Sequence, residues 1–412
     1  MTRLRRPKSG RPVSRLSVGV TALAVLVLIG GCGAPGGASS SSSSSAQLVP
    51  VKPAKPISIT VLDGAGDLAV NKPLFDQFVK DNPDLISGIQ YQAAAAPDVA
   101  GKVKAQQMGG VPSTSIVLGG PDILGAALSQ KLLLQVLPEY KKNMIDLAAV
   151  QDAGRKDFQA FAGGFGVLVL YQTSGPFVAT NPKVVSTPPK TPEQLLEWAK
   201  ANPGKFTYAQ PANSGPGRSF MMSLPYLLGD KDPKDPQKGW DKTWAYLAEL
   251  GKYIKTYPAS STILNQQFGS GQLDIIPTIV SMDMTNRRNG AWAPDTALSV
   301  FDNQPLVDDG HYFMVPKGVS AETLYVDLKL VSYILAPAQQ VKTLGPVVLT
   351  AANKNATVDN ATAESKLLIQ KWGRPDFYPK AFAGKTVTPL DPAKLQEAFD
   401  IWQRKVGSKL GG

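Results

Sequence analysis

The sequence predicts an α/β protein whose folded body, Ile57–Gly412, is divided into two domains. Apolar, β-branched segments alternate with amphipathic segments over residues 57–171, which is typical of a largely parallel sheet covered by helices. The body is longer than a single hydrophobic core usually supports. A proline-rich segment, Pro182–Pro192, then separates this pattern from a second series of strands and helices.

The first half of the body contains four predicted strands with helices between them. Alternating or continuous β-branched residues predict the strands, and apolar residues at helical spacing predict the helices. The strands are Ile57–Leu62, Ile86–Gln92, Thr114–Leu118 and Gly166–Tyr171. The helices are Asn71–Asp81, Ala100–Met108 and one that begins at Ile123.

The second half contains a similar mixture of elements. The predicted strands are Phe206–Ala209, Asp274–Val280 and His311–Val315. The predicted helices are Glu193–Ala201, one from Ser219 onward, Trp240–Tyr253 and Thr323–Leu335. The last 60 residues are predicted to be mainly helical, with loops at Gly373–Pro375 and Thr386–Pro392.

The N-terminal segment predicts export. Residues 1–15 contain six basic residues and no acid, and the apolar run Leu16–Ile29 is shorter than the roughly 20 residues that span a bilayer. This is the pattern of a secretory signal peptide. Ile29–Cys32 resembles the lipobox of bacterial lipoproteins, which implies a signal peptide at residues 1–31 and a lipid on Cys32. The alternative is an ordinary secretory signal with an incidental cysteine.

Residues 32–56 predict a flexible tether, because serine, glycine and alanine dominate up to Ser45 and three prolines follow. No second apolar run approaches spanning length, so the membrane contact is expected through the lipid only. Loss of the signal segment lowers the formal net charge from +11 to +5. No basic stripe remains that would favour binding to nucleic acid.

Residues with the potential for chemistry are few. Gly64–Ala69 matches the dinucleotide-binding pattern G-x-G-x-x-A. The next strand does not end in the acidic residue that would hold the ribose, so we expect no cofactor. The segment is then either a ligand-facing loop or a plain turn. His311 is the only histidine. Its neighbours Asp308 and Asp309 suggest a catalytic triad, but a histidine at the edge of a strand is the simpler interpretation. One histidine and one cysteine predict no transition-metal site.

The loop Asn213–Ser219 lies between a predicted strand and a predicted helix. Its glycines leave backbone amides free, and the helix N-terminus presents more of them. Arg218 adds a bidentate donor. One interpretation is a contact for an anionic or carbonyl-bearing ligand, and the other is a flexible surface loop.

The order of elements resembles the extracellular solute-binding proteins of ABC importers, from Ile57 to about Ala352. Residues 206–211 also resemble the subgroup called YnjB-like. Iron receptors of this class have adjacent tyrosines where this chain has Tyr171 and Gln172, and polyamine receptors have a tryptophan near the place of Ser281–Asp283. The segments that carry the resemblance are Thr114–Asp122, Phe165–Tyr171, Phe268–Ile276 and Tyr325–Gln339. Of these, Phe268–Ile276 is similar to the family's pattern F-x-x-G-E-x-D-I.

The resemblance implies a two-lobed, periplasmic-binding-protein-like fold of type II, with hinge crossovers and a ligand cleft between the lobes. Lobe 1 would comprise residues 57–172 and about 298–344, and lobe 2 residues 173–297 and about 345–412. Crossovers are expected near Tyr171–Ser174 and Ala297–Asp302.

The resemblance also implies a monomeric receptor rather than an enzyme, lipid-anchored to the outer face of the cell membrane. Such a receptor delivers a small polar solute to the permease and ATPase subunits of an importer. A lipoprotein enzyme or an envelope-assembly factor on the same frame is the alternative.

Candidate ligand contacts lie in loops that follow strands or begin helices, where the cleft of an α/β protein forms. Their mixed charges predict a ligand with both a cationic group and an anionic or carbonyl group, or else a simple cation held by the acids alone. On lobe 1 they are Asp63, Gly64, Gly66, Asp67, Gly120, Asp122 and Tyr171. On lobe 2 they are Ser214, Arg218, Ser219 and Asp283.

Overall fold

A computed structural model gives the fold and describes residues 48–345 and 349–409. The predicted signal peptide and Cys32 lie outside the described residues, as does most of the predicted tether. No helix in the described ranges combines the length and the hydropathy that a bilayer crossing requires.

The described strands and helices alternate along the chain. The strands are β1 (Ile57–Asp63), β2 (Ile86–Ala93), β3 (Ile116–Gly119), β4 (Val167–Gly175), β5 (Phe177–Thr180), β6 (Ile275–Thr278), β7 (Ala297–Ser299), β8 (Leu306–Met314) and β9 (Thr386–Val387). The helices are α1 (Leu68–Asp81), α2 (Ala96–Met108), α3 (Pro121–Ser129), α4 (Leu147–Val150), α5 (Ala153–Ala160), α6 (Pro192–Ala201), α7 (Gly215–Leu227), α8 (Asp241–Gly251), α9 (Ser261–Gly269), α10 (Val280–Arg288), α11 (Ala321–Leu335), α12 (Pro337–Gln340), α13 (Ala363–Trp372), α14 (Tyr378–Phe382) and α15 (Pro392–Lys405).

The larger sheet has the strand order β2-β1-β3-β8-β4, and β9 pairs with the start of β8. β1 runs parallel to β2 and β3, whereas β8 runs antiparallel to β3 and β4. Every residue of β3 is buried, as expected for a strand with other elements packed on both faces of its sheet. One core joins this sheet to α1, α2, α3 and α11. We call this unit lobe 1.

The smaller sheet is antiparallel, with the order β6-β5-β7. A second core, rich in aromatic side chains, packs around α6, α7, α8 and α15. Tyr208, Phe220 and Trp240 are completely buried in it or nearly so. We call this unit lobe 2. The two sheets with separate cores confirm the predicted two-lobed α/β fold.

Between β4 and β8, the described chain passes from one lobe to the other at two crossovers. β4 pairs in the larger sheet and β5 in the smaller one, so the first crossover lies at residues 175–176. β7 pairs with β5, and β8 pairs with β3, so the second lies at residues 300–305. β4 and β8 also pair with each other along most of their length. The lobe boundaries in sequence remain a prediction.

Several elements begin earlier than the sequence predicts. α1, α2 and α7 start three or four residues before the predicted positions, and β8 starts at Leu306 rather than at His311. Pro97 and Pro216 occupy the first turns of α2 and α7, where the fixed φ of proline favours a helix start.

The predicted strand Phe206–Ala209 is wrong. Phe206 forms one bridge with Ile275 of β6, and the residues after it belong to no strand. The amide of Ile275 donates to the carbonyl oxygen of Lys205 at 3.3 Å. Pro277 follows two residues later on the same edge of β6 and has no N–H group to continue the ladder.

Candidate functional site

A cavity of about 550 Å³ lies between the two lobes. Its lobe 1 wall is built by the loops that begin α1, α2 and α3 and by side chains of β4 and β8. Its lobe 2 wall is built by the loops that begin α7, α9 and α10. Strand ends and helix starts meet at this cavity, as they do at the ligand sites of other open α/β sheets.

Six of the predicted contacts line this cavity, and their contact with a solute remains a prediction. They are Gly64, Gly66, Asp67, Asp122, Ser214 and Arg218. The other five, which do not line it, are Asp63, Gly120, Tyr171, Ser219 and Asp283.

Asp63 shapes the loop after β1 instead of lining the cavity. Its carboxylate accepts hydrogen bonds from the backbone amides of Ala65, Gly66 and Leu68, each at 2.9 Å. The negative charge therefore lies at the N-terminus of α1, where the helix dipole stabilises it. Gly66 has a φ of +83°, which favours glycine in this turn.

Two glycines near the cavity allow close packing. A Cβ atom on Gly64 would lie 2.4 Å from Ile123 Cδ1 and 2.6 Å from Val99 Cγ2. A Cβ atom on Gly120 would lie 2.8 Å from Asp122 Oδ1. Close approach of α2 and α3 therefore explains the first glycine of the G-x-G-x-x-A pattern without a dinucleotide.

Tyr171 faces away from the cavity because side chains alternate along β4. Tyr171 pairs with Gly310 of β8, and Gln172 pairs with Asp309. Paired residues share one face of a sheet, and Gln172 and Asp309 line the cavity. On the opposite face the Tyr171 hydroxyl donates to Asp308 at 3.1 Å, and burial raises the pKa of Asp308. Tyr171 therefore does not line the cavity, whereas its neighbour Gln172 does.

Asp283 is fully buried inside lobe 2. Its carboxylate accepts hydrogen bonds from Arg287 at 2.9 and 2.6 Å, from Arg374 at 2.8 Å and from the Tyr378 hydroxyl at 2.8 Å. Burial alone would raise the pKa of Asp283, but the bonds to Arg374 and Arg287 outweigh it and lower the pKa. In this structure Asp283 therefore binds the C-terminal segment and does not line the cavity where it was predicted.

Arg218 of α7 connects the two lobes. Its Nη1 atom lies 3.2 Å from Asp122 Oδ2, and its Nη2 atom lies 3.2 Å from Asp309 Oδ2. The Arg218 side chain is 6% exposed and each carboxylate side chain 13%. We call these three residues the Arg218 clasp. Because two protein carboxylates hold this guanidinium, it is not a free donor for an anionic ligand.

Two other contacts belong to the surroundings of the clasp. The side-chain amide of Gln396 in α15 donates to the backbone carbonyl oxygen of Asp122 at 3.1 Å, which adds a second lobe 2 contact to that residue. The Ser219 hydroxyl donates to the carbonyl oxygen of Pro216 at 3.2 Å. Ser219 therefore stabilises the first turn of α7 and does not line the cavity where it was predicted.

His311 lines the cavity from the middle of β8, so it is not a strand-edge histidine. Its Nδ1 atom lies 2.5 Å from Asp67 Oδ1. Burial alone would lower the pKa of His311, but the charge of Asp67 outweighs it and raises the pKa to about 9. Burial also raises the pKa of Asp67. A pKa of about 9 keeps His311 protonated at neutral pH, beside the carboxylate of Asp67.

Several lining residues were missed because they lie at helix starts that lack a recognisable motif. The same rule that selected Asp67 and Ser214, a polar residue where a helix follows a loop, would have found many of them. The missed residues at helix starts are Ala95–Pro97, Ser260–Thr262, part of Ile279–Met282, and Asn213 before α7. Gln172, Asp309 and His311, which were also missed, lie on strands β4 and β8. The hydroxyl of Ser261 donates to that of Ser214 at 2.8 Å.

Three residues that line the cavity carry a buried oxygen without a hydrogen-bond donor in the described part of the chain. They are Asp67 with Oδ2, Gln172 with Oε1 and Asn213 with Oδ1. Buried acceptors normally have a donor, so this set of acceptors suits a ligand with N–H or O–H groups.

The remaining chemistry of the cavity is limited. Over residues 48–345 and 349–409, no three histidine, cysteine, aspartate or glutamate side chains are grouped as a metal site requires. No aromatic side chain from these residues lines the cavity. An aromatic cage for a quaternary ammonium group is therefore not built here.

Comparisons with known proteins agree on the kind of protein that this chain is similar to. A family model described as bacterial extracellular solute-binding protein matches residues 74–369. Protein YnjB of Escherichia coli strain K12 is 26% identical over 179 residues, which are 40% of this chain and 45% of YnjB. The chain thus spans less than half the length of this curated relative.

Solved structures show the same fold at low identity. An ABC transporter protein from Clostridium perfringens has a TM-score of 0.59 and 13% identity, and the match covers 86% of this chain and 100% of that one. The spermidine/putrescine substrate-binding protein PotD from Streptococcus pneumoniae, solved with calcium and HEPES, has a TM-score of 0.58 and 15% identity, with 85% and 98% covered.

Proposed function

Because the chain belongs to the family of bacterial extracellular solute-binding proteins, we propose that it captures a small polar solute by lobe closure and delivers it to the permease of an ABC importer. Members of this family are exported substrate-binding components of transporters and not enzymes. The predicted class of protein, an ABC solute-binding protein without enzymatic activity, is therefore confirmed.

The observation that carries the proposal is a cavity whose two walls belong to different lobes and both contribute polar side chains. A solute that touches both walls favours the closed state, because some of its contacts exist only there. The crossovers at residues 175–176 and 300–305 are where a hinge motion would take place. A volume of about 550 Å³ suits a metabolite-sized solute.

Small-angle scattering tests the closure. The protein is purified, and the solute is identified by native mass spectrometry after exposure to culture medium. We expect one solute per chain and a smaller radius of gyration at saturation. An unchanged radius with a bound solute would contradict lobe closure, and loss of the gene without loss of uptake would contradict the importer role.

We also propose that Cys32 carries the lipid anchor and that residues 33–56 are the tether. The basic N-terminal segment, the short apolar run and the lipobox-like Ile29–Cys32 support this. Two or more acyl chains hold a protein firmly at a membrane. We also propose that the receptor acts as a monomer, and a cavity with both walls from one chain supports this.

Cell fractionation tests the anchor. Cys32→Ala should stay uncut or leave the membrane fraction, whereas the control Ser40→Ala should behave as the wild type. A Cys32→Ala protein that still fractionates with membranes and carries the same lipid mass would contradict the anchor.

A further inference from the structure

We propose that the solute is a small amphoteric molecule, whose ammonium group faces Asp67 and Gln172 and whose carboxylate faces the start of α10. This inference rests on the proposed function, and it adds the chemical class of the solute. It follows from an unequal distribution of charge and of hydrogen-bonding groups between the two walls of the cavity.

The lobe 1 wall is rich in acceptors. Asp67 and Gln172 are 2% and 6% exposed, and each has an oxygen without a donor among the described residues. Asn213, on the lobe 2 side, has a third such oxygen. An ammonium group has three N–H donors and no acceptor, so it matches three acceptors. It would also connect the lobes, since these acceptors come from both.

The charged side chains that line the cavity add up to one negative charge. Asp122 and Asp309 share the single positive charge of Arg218. Protonated His311 and the carboxylate of Asp67 form an ion pair without net charge. No lysine lines the cavity within the described ranges. A cationic group is therefore favoured on this side.

The lobe 2 wall has the opposite character. No carboxylate of lobe 2 lines the cavity in the described part of the chain, and Ser281 lines it from the first turn of α10. No side chain caps the N-terminus of this helix among those described, and helix N-termini favour anions.

A buried positive charge reinforces this preference. Asp283, also in the first turn of α10, is paired with two guanidinium groups, those of Arg287 and Arg374. The cluster therefore has an excess of one positive charge, and its carboxylate belongs to the residue that follows the lining residues Ser281 and Met282. Buried charge without a counter-charge is costly, and a ligand carboxylate at the start of α10 reduces that cost.

The two excess charges cancel, so the best match is a ligand without net charge whose two charges are separated. A diamine would place its second ammonium group against the positive lobe 2 wall. A dicarboxylate would place its second carboxylate against Asp122 and Asp309. Both would lose the electrostatic complementarity that selects a partner.

A matched set of compounds tests the class. The full mature chain is titrated by calorimetry with amino acids of the α and ω types, with diamines and with dicarboxylates, each of three to six carbons. We expect an amino acid to bind most tightly, with diamines and dicarboxylates of equal length at least tenfold weaker. A diamine or dicarboxylate that binds most tightly, or a set in which no amino acid binds, overturns the inference.

Two variants test the two ends separately. Gln172→Leu should weaken the best amino acid about tenfold or more, whereas the control Thr173→Val, on the opposite face of β4, should not. Arg374→Gln should weaken it at least tenfold, and Arg374→Lys, which keeps the charge, should retain most of the affinity. Equal losses in both Arg374 variants, or no loss in either, overturn the role of the buried charge.

The same experiments separate this inference from the proposed function. A solute from culture medium that binds in the cavity and closes the lobes, but carries charge of one sign only, overturns the amphoteric class and leaves the receptor function intact. Failure of every solute in the medium to bind contradicts the receptor function itself.

Discussion

Removal of the Arg218 charge is predicted to open the lobes in the absence of solute. Arg218→Met keeps the length of the aliphatic stem but leaves Asp122 and Asp309 without their shared cation. Breaking a buried ion pair by removal of one partner costs about 3–5 kcal/mol. Opening of the lobes relieves this cost because water then solvates both carboxylates.

The size of the effect makes it measurable. A change of about 3 kcal/mol corresponds to a factor of roughly 100 in the ratio of closed to open molecules. Scattering from solute-free protein should therefore show a larger radius of gyration for Arg218→Met than for the wild type. The wild type should still contract on addition of solute, but by less than the variant does.

Matched variants separate the charge from the packing. Arg218→Lys keeps a cation near the carboxylates and should stay close to the wild-type radius. Combination of Arg218→Met with Asp122→Asn and Asp309→Asn removes all three charges and should restore part of the lost stability. An Arg218→Met protein with wild-type radius and an unfolding free energy within 0.5 kcal/mol of wild type, roughly the scatter of surface changes, would refute the clasp.

Three further predictions concern single buried carboxylates. In untagged protein, NMR titration of His311, the only histidine, should give a pKa of about 9. In Asp67→Asn this pKa should fall to or below the ordinary 6.5. Because the pKa of His311 is raised in the folded state, the pair with Asp67 stabilises the fold below about pH 6.5, and this stabilisation is lost as the pH rises through about 9. Asp327 in α11 is buried without a donor among the described residues, which raises its pKa. Asp327→Asn should therefore increase the unfolding free energy at pH 7. It should also remove the decline of the wild-type unfolding free energy with rising pH, which is up to about 1.4 kcal/mol per pH unit above pH ~4. Asp283→Asn should lose about 3–5 kcal/mol in denaturant unfolding, because two buried guanidinium groups lose their carboxylate.

Each of these has a clear contrary result. A His311 pKa near 6.5 in the wild type contradicts the ion pair with Asp67. If Asp327→Asn is no more stable at pH 7 than the exposed control Asp98→Asn, the argument that burial of the Asp327 carboxylate destabilises the fold is contradicted. A loss below about 1 kcal/mol in Asp283→Asn contradicts the buried cluster.

The sequence predicted the fold class and much of one wall of the site because both depend on local patterns. β1 and the start of α1 follow from adjacent residues, and so does the position of Asp67 in the loop between them. Partners that are distant in sequence were not predictable in this way. From the sequence, His311 was considered only together with its neighbours Asp308 and Asp309. Its actual partner is Asp67, 244 residues away.

The other errors also arise from long-range contacts. Asp283 follows a strand, as a cleft residue should, but Arg374, 91 residues later, binds its carboxylate. The choice between Tyr171 and Gln172 depends on the register of β4 with β8, and a strand pattern alone does not say which face is the cleft. The predicted strand does not continue beyond Phe206, because Pro277 in a different segment has no N–H group for the next hydrogen bond.

Native mass spectrometry of the full mature chain, exposed to its own culture medium and then desalted, tests the central claim most directly. The account predicts one small-molecule solute per wild-type chain and its loss, or at least a strongly reduced occupancy, in Gln172→Leu, whose side chain lines the cavity. Wild-type protein that takes up no solute from the medium, or a solute retained equally by the variant, would contradict it.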